Sequence, residues 1–195
     1  MSLRQMCSLV LGLGALPAAS AFVERPVPDL RCSPIGGIPG NGYDPVPLVA
    51  SAQVILRARA DSVAPMPSRL RRGRLGPETF VHFTVLEVID SGGMPIPPAL
   101  RYPGYLSDKP DFNTKPVPYR WARSDGLRGS CLAFTHQRGG EFLLLLQGSS
   151  VESLDPYWSG LTPTNEQVSG ADDPWVTWVR DARRAGPHPR RPYNF

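Results

Sequence analysis

Three histidines, three cysteines and a scatter of serines and carboxylates carry whatever covalent chemistry this chain of 195 residues can do. His82, His136 and His188 are far apart, and none is paired at metal-ligand spacing, so neither a zinc or iron site nor a cofactor is expected. Ser130, within Arg128-Gly129-Ser130-Cys131-Leu132-Ala133, lacks the glycines that put a nucleophile on a strained strand-to-helix turn. A cysteine nucleophile needs Cys131 as a free thiol with His136 as its base. Five residues apart across a strand end, those two can approach, and a small secreted hydrolase is therefore one alternative. The cluster Gly36-Gly37-Ile38-Pro39-Gly40-Asn41-Gly42 follows no strand and opens no helix, which excludes a phosphate-binding loop. No residue is assigned a catalytic role.

The fate of Cys131 depends on compartment. Arg4, the apolar run from Ser8 to Leu16 and the small residues Ala19-Ser20-Ala21 have the order of a signal peptide cleaved after Ala21. The apolar run, roughly nine residues, is too short for a bilayer core of about 30 Å, and no other stretch approaches that length. The expected product is secreted or periplasmic, without a transmembrane segment, and monomeric. Cys7 leaves with the signal peptide. The remaining pair, Cys32 and Cys131, is most simply one disulfide closing a loop of about 100 residues, for which chain entropy gives ~4–5 kcal/mol. Two unpaired core cysteines or one reactive thiol are the other readings.

The formal charge of +4 falls to +3 without Arg4, and the stretch from Asp181 to Phe195 accounts for +3 by itself. The body is near neutral, so a nucleic-acid partner is not expected. Charge is concentrated in the loop residues Arg69, Arg71, Arg72 and Arg74, a candidate surface for an anionic envelope polymer. Phe112, Tyr119, Arg120 and Trp121, in the polar, aromatic-dotted insertion 107–128, form the second candidate, for protein or sugar contacts. The same aromatics would also serve simply to tuck the insertion onto the fold.

These residues need a scaffold, and composition narrows it. Pro 23 and Gly 19 in this length exclude a helical bundle or coiled coil. Residues 22–47, with six prolines from Pro26 to Pro47, are expected to be irregular. Val54, Leu56, Ala58 and Ala60 alternate with Ile55, Arg57, Arg59 and Asp61 as in a half-solvated strand. Thr79 to Ile89 is a second strand, with a bulge expected near Val85-Leu86 because Leu86 and Val88 break the alternation. Short strands follow around Leu100 to Leu106 and at Cys131 to Phe134, the latter leading through Gly139-Gly140 into the apolar strand Glu141 to Gln147. One helix is predicted over 173–183: Asp172 and Asp173 cap it, Pro174 suits its first turn, and Trp175, Trp178, Val179 and Ala182 share a face. Residues 184–195 are expected to form a basic disordered tail.

Taken together, several segments resemble one family. A cysteine near the mature start precedes Ala52-Gln53-Val54-Ile55-Leu56-Arg57-Ala58-Arg59, and Phe83-Thr84-Val85-Leu86-Glu87-Val88-Ile89 follows. A second cysteine then comes before the Gly-Gly hairpin and Glu141-Phe142-Leu143-Leu144-Leu145-Leu146. This pattern resembles the netrin-like modules and the N-terminal domains of tissue inhibitors of metalloproteinases. Asp111-Phe112-Asn113, Pro118-Tyr119, Arg128-Gly129-Ser130-Cys131, Asn165-Glu166-Gln167 and Asp172-Asp173-Pro174-Trp175 resemble features of the group's uncharacterised bacterial secreted relatives. The resemblance implies a mainly β fold over 48–182, a five-stranded OB-type Greek-key barrel with the C-terminal helix packed on it. The expected function is a non-enzymatic binding or inhibitor-like module, with an envelope-associated structural protein held by its basic tail as a further alternative. The inhibitors bind the protease zinc through an N-terminal cysteine's own amine and carbonyl. With Phe22 as the expected terminus, Cys32 has an ordinary amide, and that role does not transfer.

Overall fold

Four consecutive leucines decide the layering. In the computed structural model, which describes residues 44–68, 76–127 and 131–186, Phe142 to Leu146 are all at 0% exposure. A strand alternates its side chains between faces, so such a run needs apolar cover on both sides. Phe142, Leu144 and Leu146 join Val54, Leu56, Ala58, Ala60, Val81 and Phe83 in one core. Leu143 and Leu145 join Ile55, Trp175, Val176 and Val179 in the other, beneath the helices.

The elements in order are α1 (Pro45–Ser51), β1 (Val54–Pro65), β2 (Thr79–Asp90), β3 (Ala99–Pro103), β4 (Tyr105–Ser107), β5 (Thr135–Gln137), β6 (Glu141–Leu146), β7 (Asn165–Val168) and α2 (Pro174–Arg184). The main sheet runs β3-β2-β1-β6-β7, antiparallel throughout, while β4 and β5 form a separate parallel pair. Among the described residues neither sheet closes on itself, so the architecture is a mainly β fold with an open five-stranded antiparallel sheet and a C-terminal helix.

The expected bulge is present. Arg57 pairs with Glu87 and Ala58 with Val85, which leaves Leu86 as the extra residue on β2. The predicted helix is also present, with Asp173 as its N-cap accepting from the Trp175 amide and Pro174 in its first turn.

Four expectations require correction. The irregular stretch 22–47 ends in a helix: Asp44 caps α1, and its prolines sit in the first turn, where amide donors have no helical acceptor anyway. Ile55 was expected on the solvated face but is at 0% exposure, because α2 covers that face. The strand around Leu100 to Leu106 divides at Gly104, where a Cβ would meet the Phe134 carbonyl at 2.7 Å. Cys131 to Phe134 is not a strand, since Cys131 and Ala133 have φ of 56° and 49°, outside the β region.

Candidate functional site

The insertion is fixed by one buried arginine. Arg123 is 1% exposed, and each of its three guanidinium nitrogens donates a hydrogen bond. Nη1 donates to Asp111 Oδ2 at 2.7 Å, Nη2 to the Ala133 carbonyl at 2.8 Å and Nε to the Asn165 carbonyl at 3.1 Å. The guanidinium also lies 5.3 Å from the Phe142 ring centroid. Burying a charge this deeply is tolerated only when it is paired and hydrogen-bonded, and here Asp111 and two carbonyls supply that.

β7 supplies the other half of the arrangement. Three of its four residues, Asn165, Glu166 and Gln167, are polar, yet they are buried along with Val168. Glu166, at 0% exposure, pairs in register with Leu143 and shares its face. Its Oε1 accepts from the Arg123 amide at 2.9 Å and its Oε2 from Asn113 Nδ2 at 2.9 Å. Arg123 therefore spans β7: its backbone meets Glu166 on the Leu143 face and its guanidinium meets Phe142 on the other. Asn165 Nδ2 donates to the Leu132 and Ala133 carbonyls. These carbonyls, turned toward Asn165 and Arg123, explain the positive φ values in the segment expected to be a strand.

The insertion covers the outer edge of β7, which removes an exposed strand edge. Phe112 forms a parallel bridge with Gln167, and the Asp111 amide donates to Gln167 Oε1 at 2.7 Å. Asp111 Oδ2 accepts from the Asp125 amide, and Asp125 Oδ2 accepts from the Thr135 amide. Burial pushes the Glu166 carboxyl up to about 7, against the opposing pull of Arg123.

The sequence-derived candidates separate on this scaffold. Tyr119 is buried and stacks on Trp175 at 4.9 Å, so it tucks the insertion onto α2. Trp121 is half-buried, and its carbonyl accepts from Asn113. Phe112 is 44% exposed and Arg120 is exposed, so these two remain on the surface. Cys32, Arg69, Arg71, Arg72 and Arg74 lie outside the described residues, as does His188.

His136 does not meet the needs of a catalytic base. It is 1% exposed, with its ring edge-on to Phe83 at 5.1 Å and Phe142 at 4.7 Å. Burial, assisted by the Arg123 charge, holds it well below the ordinary imidazole range. Among the described residues, no group of three or more His, Cys, Asp or Glu could hold a metal ion, and no helix is long and apolar enough to cross a membrane.

A groove between β2 and α2 carries Arg180, Arg183 and Arg184, but these are internally paired with Glu87, Asp90 and Asp181. Sequence reasoning placed Arg123 in the insertion without assigning it a role, and it read no strand at Asn165 to Val168. Three polar residues before a single valine give no apolar alternation to mark the segment as buried. Comparisons with protein-family models, curated proteins and solved structures return no match.

Proposed function

We propose that the chain is an exported, non-enzymatic binding module on a netrin-like, OB-type scaffold, whose partner is a protein or an anionic envelope polymer. The observation carrying this reading is the insertion itself. Its polar interior is committed to Arg123 and Glu166, while Phe112 and Arg120 face outward. A loop held by a rigid scaffold with an aromatic and a cation on its surface suits recognition.

The barrel reading draws support from chain order. β3 continues past Gly104 into β4, β4 runs parallel to β5, and β5 turns through Gly139-Gly140 into β6, which pairs with β1. Export and a Cys32–Cys131 bridge belong to the same proposal. The bridge rests on the even pair of cysteines left in an exported chain.

The test is retention of the purified mature protein on anionic envelope polymer across a salt gradient. Phe112→Ala with Arg120→Glu is expected to lower the eluting salt concentration in protein that keeps its far-ultraviolet circular dichroism. Neutralising Arg69, Arg71, Arg72 and Arg74 separates the loop's share from the insertion's. Retention that neither set of substitutions alters would overturn the reading.

A further inference from the structure

We propose that Glu166, Asn113 and Arg123 form a proton-controlled latch, in which loss of the Glu166 proton favours release of the insertion from β7. The basis is a charge imbalance built into a dry site. Glu166 is at 0% exposure and, among the described residues, has no cation within ion-pair distance, since the Arg123 guanidinium is given to Asp111. Both hydrogen bonds to its carboxyl come from the insertion: the Arg123 amide and Asn113 Nδ2. Lifting the insertion therefore removes both partners together and admits water to the carboxyl.

The surroundings set the direction. From the insertion, Asp111 and Asp125 stand on the far side of Arg123, and Tyr119 packs nearby with a neutral phenol. From β5, His136 lies close enough to Arg123 to feel its charge, and burial keeps it neutral. From β6, the register partner of Glu166 is Leu143, which offers no charge. At the start of α2, Asp173 is spent on the amides of Ser169 and Trp175. One guanidinium thus faces two carboxyls, and the one without an ion pair is more easily buried with its proton on.

The sign follows from linkage. Raised to about 7 when closed, Glu166 returns to the ordinary carboxyl range when hydrated. Between those limits the open form binds fewer protons, so the open fraction rises with pH and levels off above about 7. The rise is expected to approach ~10²-fold between pH 4.5 and 7.5. This inference stands apart from any ligand and is tested without one.

The experiment is hydrogen exchange of the Arg123 amide, whose proton sits on Glu166 itself, corrected for intrinsic exchange and compared with β1 amides paired to β2. The expected result has two parts. Arg123 is less protected than the β1 reference, which marks local opening, and its protection falls with pH toward a plateau. In Glu166→Gln the fall disappears. Should that variant not fold, Asp111→Asn serves instead, since removing the neighbouring charge moves the plateau to lower pH. Protection equal to the β1 reference, or a wild-type profile flat from pH 4.5 to 8.5, would overturn the latch. An Asp111→Asn plateau that does not move would do the same.

Discussion

At the scale of single residues, Arg123 joins three stretches of the chain at one buried point. It contacts Asp111, Ala133, Asn165 and Glu166, which lie on three separate stretches. Arg123→Ala takes the ion-pair partner from Asp111 and one donor from each of two buried carbonyls, and is expected to cost about 3–5 kcal/mol in urea denaturation. Arg123→Lys should recover little, because a point ammonium cannot serve three acceptors in different directions. A loss below ~1 kcal/mol for the alanine variant would show that water replaces the guanidinium. This residue also marks the limit of sequence reading. Nothing local separates it from Arg120, three positions earlier, which is exposed. What distinguishes them is a strand some forty residues downstream, and contact at that range leaves no periodic trace.

Elements were more legible, because their signals are local. The pattern of Val54 to Ala60, the Leu86 bulge and the Asp173-Pro174 start of α2 all follow from alternation, its interruption and capping chemistry. Where readings failed, a distant element had intervened: α2 over Ile55, Phe134 against Gly104, and Asn165 on the Leu132 and Ala133 carbonyls. Arg183 shows such joining at its most testable. Its Nε pairs with Asp90 at the end of β2, and its Nη1 donates to the Val49 and Ala50 carbonyls in the last turn of α1. A donor on those carbonyls caps a helix that is otherwise too short to stand alone. Arg183→Ala is expected to cost about 1–3 kcal/mol and to speed hydrogen exchange across α1. Its neighbour provides the contrast: Arg184 and Asp181 form a pair whose side chains are 75% and 63% exposed. Arg184→Ala should change stability by less than ~0.5 kcal/mol. Equal effects from the two substitutions would remove Arg183 from its joining role.

At the scale of the whole molecule, the two cores share the same central strands. β1 and β6 send alternate residues to opposite faces, so Leu143 and Leu144, adjacent in sequence, belong to different cores. Neither core can melt while the other persists, because losing either face exposes the strands that line both. Unfolding should therefore be a single cooperative transition. Intrinsic fluorescence reports chiefly the helical face, where Trp158, Trp175 and Trp178 gather, Trp175 and Trp178 stacked at 5.1 Å. Far-ultraviolet circular dichroism reports the sheet. The two transitions are expected to coincide in urea. Leu143→Ala and Leu144→Ala, each costing about 2–5 kcal/mol, should shift both probes together despite lying on opposite faces. A fluorescence transition that precedes the sheet signal, or one variant that moves a single probe, would mean that α2 and its core form a separate cooperative unit. The shared strands would then not couple the two layers.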